Sequence, residues 1–238
     1  MFPLYSDRQL ERTPFVTMML IAANVMVFWF QISRGGNFME SVHKSVMLYG
    51  MIPSDLFDWS PSSIPGRMIA GGTVFTSMFM HGGFLHLASN MLYLWVFGRN
   101  VEDDFGHLRF LVFYLATGVL ATLAFAMAYP EGTVPLVGAS GAIAGILGAY
   151  FLRFPLSNIY TMVILFIFIR IVAIPAFFML GLWFAFQIMS CMVSAMSPEG
   201  AAGQGGVAWI SHVAGFVVGL VWTILELRRR YYLRKSDY

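Results

Sequence analysis

The 238-residue chain predicts an all-α polytopic membrane protein, a bundle of six transmembrane helices with a first loop lying at the interface. Three observations predict it. Apolar residues make up 58% of the chain and charged residues 11%, where a soluble chain carries about a quarter charged; mean hydropathy is +0.73. Uncharged runs recur near the roughly 20 residues a helix needs to cross a bilayer. The Lys and Arg residues gather in segments that alternate runs would place on one side.

The first run, Pro14 to Ile32, is long enough to span and ends without a small-residue cleavage site, so it reads as a retained helix and not a signal. Ser33 to Gly82 mixes Phe38, Leu56, Phe57 and Trp59 with Pro53, Asp55, Asp58, Pro61, Pro65 and Arg67, a composition suited to a structured interfacial loop. Further spans are expected at about Gly83 to Gly98, Phe110 to Ala128, about Ser140 to Leu152, Pro175 to Val193 and Val207 to Leu225. Ile159 to Ile174 is apolar too, but it is broken by Arg170 and rich in β-branched and aromatic residues. As a span it makes seven crossings; as an interfacial or strand-like entry to the next helix it leaves six. Six crossings put Arg8, Arg12, Arg99, Arg109, Arg153 and the basic tail Arg228 to Lys235 on the cytoplasmic side, with Arg34, Lys44 and Arg67 outside. Seven would export the tail, so the positive-inside distribution favours six, with both termini cytoplasmic. The expected organisation is one membrane domain, 1–238, with a core over about 14–225 and a short basic tail over 226–238.

A net charge of +2, with no basic block interleaved with aromatics in the body of the chain, argues against a nucleic-acid partner. The lone Cys191 cannot form an intrachain disulfide. No cofactor or metal is indicated, and no oligomeric state is assigned.

With six spans, the second, fourth and sixth all run from outside to inside, and His86, Asn90, Ser140 and His212 fall in the outer half of the membrane. Gly141 and Gly145 follow Ser140, and Gly215 and Gly219 follow His212, each pair at the spacing that lets helix backbones approach closely in lipid. Aligning the pairs places Ser140 and His212 within about two residue rises, roughly 3 Å along the axis. GxxxG alone signals packing, and a membrane serine usually bonds back to its own helix; an ionisable residue inside a membrane is costly and usually functional. The shared depth of these residues points to a nucleophile and its base.

These residues resemble the rhomboid family of intramembrane serine proteases. Gly138-Ala139-Ser140-Gly141 resembles the family's GxSG, His212 to Gly219 its HxxGxxxG, and His81 to Asn90 its HxxxxHxxxN. The spacing from Val101 to Phe110 is similar to that of bacterial members. Two positions depart: Gly72 and Thr73 stand where many members have Trp-Arg, and Ala144 stands where some have an aromatic that packs on the imidazole. The resemblance implies an endopeptidase that cleaves transmembrane segments of other membrane proteins within the lipid bilayer, and, with no long extension at either end, a bacterial inner membrane. Ser140 would attack the scissile carbonyl and His212 would take its proton, histidine being the side chain that changes charge near neutral pH. Asn90, His86 and the Ser140 backbone N–H would bind the oxyanion. No carboxylate is expected in the spans, which implies a dyad. His81 reads as structural. The fifth span, with Trp183, Phe184 and Phe186, together with Ile159 to Ile174, is the candidate gate. The competing readings are an inactive relative that binds membrane helices and a six-span transporter.

Overall fold

The computed structural model describes residues 2–33, 36–57, 70–165, 168–196 and 208–236. The expected loop residues Asp58, Trp59, Pro61, Pro65 and Arg67, and Val207 at the expected start of the last span, lie outside them. Strand β1 is Phe2–Ser6, and helices α1 (Phe15–Ile32), α2 (Phe38–Tyr49), α3 (Pro53–Phe57) and α4 (Ala70–Thr76) follow. Next come α5 (Phe84–Tyr93), a π-helical turn at Leu94–Gly98, α6 (Arg99–Phe105), α7 (His107–Ala128), α8 (Ser140–Arg153), β2 (Asn158–Leu165), β3 (Phe168–Pro175), α9 (Ala176–Ala195) and α10 (Trp209–Ser236). Each expected span overlaps a helical segment in its described residues. Among the described residues, four helices are long and apolar enough to cross a membrane: Phe15–Ile32, His107–Ala128, Ala176–Ala195 and Trp209–Tyr232. Phe84 to Phe105 is continuous through the π turn, and α8 is a shorter apolar helix.

Helix α8 is central, and every residue from Gly141 to Tyr150 is buried. With 14 residues it is about 21 Å long at 1.5 Å per residue, less than the roughly 30 Å of a hydrocarbon core. Its first residue, Ser140, opens onto a cavity between the helices. The seam between α8 and α10 is backbone against backbone. A Cβ at Gly215 would stand 2.1 Å from the Gly141 carbonyl oxygen, and one at Gly219 2.0 Å from that of Gly145. Glycine is required at both positions because any side chain would force the helices apart.

The all-α expectation needs one correction. Ile159 to Ile174 forms an antiparallel hairpin, Asn158 pairing with Pro175 and Leu165 with Phe168, and β1 adds to its other edge through Phe2↔Met162 and Ser6↔Ile159. The cause is local: β-branched residues suit a pleated surface, and the hairpin needed a third strand that the N-terminal segment supplies. Ile159 and Thr161 alternate inward to full burial, while Ser6 Oγ and Ser157 Oγ each lie 2.8 Å from Tyr150 Oη at the end of α8. The hairpin is thus the strand-like entry to α9 and not a further crossing helix.

The end of the bundle remote from Ser140 is tied by charge. The buried Glu102 carboxylate accepts from the Val16 and Thr17 N–H groups at 2.8 and 2.7 Å, from Thr17 Oγ1 at 2.6 Å and pairs with His107 Nδ1 at 2.6 Å. A carboxylate there satisfies donors that a helix start leaves open and complements its positive dipole end. Asp104 binds Arg153 of α8 through both carboxylate oxygens and Arg230 of α10 at 3.2 Å, joining the ends of three helices.

Candidate active site

The segment entering α8 is held by the first loop. Met51 and Leu136 exchange backbone hydrogen bonds of 3.1 and 2.7 Å, and Gly138 N–H donates to the Ser77 carbonyl at 2.9 Å. Gly138 has φ +121°, a backbone conformation glycine adopts without strain, and a Cβ there would stand 2.8 Å from His86 Nε2. This turn lifts the chain into α8 and leaves Ser140 as its first residue.

Ser140 Oγ lies 2.9 Å from His212 Nε2. The two side chains come from α8 and α10, whose glycine seam fixes their relative height. Both line a cavity of about 450 Å³ that is also lined by His86, Ser89, Asn90 and the Val134–Val137 segment. The structure therefore brings together all four polar residues singled out in the sequence. His86 Nδ1 accepts from Gly82 N–H at 3.3 Å. That contact leaves the ring proton on Nε2, the nitrogen beside Gly138. Buried Asn90 donates from Nδ2 to the His86 carbonyl at 3.1 Å, which holds its amide against the same wall. The Ser140 N–H sits in the first turn of α8, where helix N–H groups have no intrahelical acceptor and the dipole is positive.

His81 is fully buried and edge-on to His86, with ring centroids 5.1 Å apart. Its backbone carries the brace of this loop: Gln31 of α1 accepts from His81 N–H at 3.0 Å and donates to its carbonyl at 3.1 Å. Gly72 and Thr73 take no part in that brace; Thr73 Oγ1 bonds the Ala70 carbonyl of its own helix.

The imidazole is supported from α9. Trp183 lies with its ring centroid 6.2 Å from that of His212, and Trp209 is edge-on at 6.3 Å. His212 Nδ1 lies 2.9 Å from Gln187 Oε1. Ala144 instead packs in the α8–α10 seam, where a Cβ added at Gly215 would stand 3.2 Å from its methyl. Phe184 stacks on Phe216 at 4.2 Å and Phe186 meets Trp209 at 5.8 Å, so these aromatics pack on α10. Gln187 was missed in the sequence although a signal existed: an amide within an apolar span is itself a polar group that needs a partner.

The bundle and its paired serine and histidine define a class, the helical membrane proteins with a serine hydroxyl in hydrogen-bond contact with a histidine at a cavity between helices. The Rhomboid domain model matches residues 71–229, and the chain belongs to the rhomboid family. It is 46% identical over 74 residues to Rhomboid protease GluP of Bacillus subtilis, covering 31% of this chain and 14% of that protein. It is 29% identical over 155 residues to Rhomboid protein 1, mitochondrial, of Saccharomyces cerevisiae, covering 63% and 40%. It is 40% identical over 72 residues to RHOMBOID-like protein 5 of Arabidopsis thaliana, covering 30% and 23%. In each case the match spans 40% or less of the relative's length. The chain is an integral membrane protein of this family, whose named members include proteases.

Proposed function

We propose that the chain is an intramembrane serine endopeptidase that cleaves spanning segments of other membrane proteins with a Ser140–His212 dyad. The observation that carries this reading is the 2.9 Å contact between Ser140 Oγ and His212 Nε2 inside a cavity walled by His86 and Asn90. Ser140 Oγ attacks the scissile carbonyl carbon while His212 Nε2 accepts the hydroxyl proton. The carbonyl oxygen becomes an oxyanion held by Ser140 N–H, His86 Nε2–H and the Asn90 amide. His212 then returns the proton to the leaving amine as the C–N bond breaks. Water in the cavity attacks the acyl-enzyme, His212 takes one of its protons, and the acid product leaves with Ser140 restored. An inactive helix-binding relative or a transporter has no need of a nucleophile aligned with a base at this distance.

Six crossings within a single membrane domain follow if the Phe84–Gly98 stretch and α8 join the four long helices. This arrangement puts Ser140 and His212 in the outer half and both termini in the cytoplasm, here of a bacterial inner membrane. The aromatic face of α9 is the gate through which a substrate helix enters. Labelling with a fluorophosphonate tests the reading: Ser140 is modified in the intact chain and labelling is lost in Ser140→Ala. Equal labelling of the two proteins refutes it.

A further inference from the structure

We infer that Gln187 is a positioning residue that holds His212 in the tautomer the reaction requires; the inference rests on the proposed dyad. For His212 to act as base, Nε2 must be the unprotonated nitrogen that accepts from Ser140 Oγ–H, so the ring proton must reside on Nδ1. An acceptor at Nδ1 enforces this. Gln187 Oε1 stands there at 2.9 Å, and Gln187 is itself buried, 4% exposed, on the apolar helix α9. The side chain is neutral, so the arrangement places no anion in the membrane, where an unpaired carboxylate is costly. An amide accepts from Nδ1–H and orients the ring as the carboxylate does in a soluble triad, without electrostatic stabilisation of the imidazolium. The contact also comes from outside the α8–α10 pair, so the glycine seam sets the height of His212 and α9 sets which nitrogen faces the serine.

The test uses the full chain in detergent with a model transmembrane substrate, and two variants. Gln187→Met keeps the length and removes the acceptor; Gln187→Glu keeps an acceptor. In the ¹⁵N spectrum of the ring, with His212 assigned by its loss in His212→Gln, the intact protein shows Nδ1 protonated and Nε2 unprotonated, and Gln187→Met shifts the population toward the opposite tautomer. Gln187→Met lowers kcat by roughly 10- to 100-fold, the usual cost of losing an orienting partner, with KM within about twofold, and Gln187→Glu restores kcat to within about fivefold. An intact protein with its proton on Nε2 overturns the inference whether or not either variant folds. So does a Gln187→Met variant with unchanged kcat, or a Gln187→Glu variant as slow as Gln187→Met. Ser140→Ala separates the two levels. Inactive Ser140→Ala beside fully active Gln187→Met sinks only the role of Gln187, whereas active Ser140→Ala sinks the dyad and this inference together.

Discussion

The two ends of the bundle are built from opposite materials. Around Ser140 the polar side chains are a hydroxyl, imidazoles and amides, each with a hydrogen-bond partner. At the remote end the polar groups are ionic, with Asp104 against Arg153 and Arg230, and Glu226 against Arg109 at 3.2 Å. The difference follows from solvation. Helix ends that reach water can pair charges at small cost, while groups recessed among apolar helices must be neutral or fully partnered. Uncharged polar groups can pass protons, as the proposed reaction requires, whereas the ion pairs at the far end hold helix ends together. On the proposed function, reactivity and assembly are separated along the bundle axis.

Substitutions at the two ends should therefore fail differently. The largest effect is expected from Ser140→Ala or His212→Ala, with turnover of a model transmembrane substrate lower by at least roughly 10⁴-fold, as for members of a nucleophile–base unit, and the thermal midpoint little changed. Full turnover in either variant would remove the chemistry from this end. His86→Ala should lower kcat by roughly 10²- to 10³-fold, the usual cost of an oxyanion donor. Asn90→Ala should lose less, because its amide also bonds the His86 carbonyl; an order reversed between the two would reassign the principal donor. Gly219→Ala tests the link between the ends. Its methyl would stand 2.0 Å from the Gly145 carbonyl oxygen, and a seam opened by about 1 Å should cost on the order of 10²-fold in turnover with a lower midpoint. An unchanged rate would mean that the seam does not set the Ser140–His212 distance.

The smallest effect on turnover is expected at the ionic end. Burial raises the Asp104 carboxyl, but the Arg153 and Arg230 guanidiniums outweigh it and hold the group below its ordinary value. A depressed carboxyl contributes stability that is present above its unfolded value and is lost as pH falls through its folded value. Asp104→Asn should thus cost about 1–3 kcal/mol at neutral pH, a midpoint lower by several degrees, with turnover within about twofold. The gap from the unaltered protein should close as pH falls below the usual carboxylate range. A gap that persists in acid would mean the ion pairs are not its source.

Much of the helix layout was legible because spanning length and uncharged composition are properties of contiguous sequence. Pro14 to Ile32 and Phe110 to Ala128 lie within two residues of α1 and within three of α7. Strand β1 was not legible, since five residues carry no period long enough to read and their pairing partner lies about 150 positions away. The β-branched run at Ile159 to Ile174 showed the strand tendency, but not the edge that completes the sheet. At the site, Ser140, His212, His86 and Asn90 were readable because their motifs lie on three segments with fixed internal spacing. Gln187 stood out only as an amide in an apolar span, because nothing in its own segment names His212 as its partner.

The sequence alone determined the membrane class and pointed to the helical segments and the candidate site residues, since hydropathy and motif spacing are local and need no third dimension. The tertiary structure alone decided that Ser140 Oγ meets His212 Nε2, that Gln187 rather than an aromatic at position 144 supports the imidazole, and that Glu102 closes the start of α1. Each of these is a contact of a few ångströms between groups far apart in the chain. Such contacts depend on how closely the helices pack, and here glycines set that approach by letting one backbone rest on another.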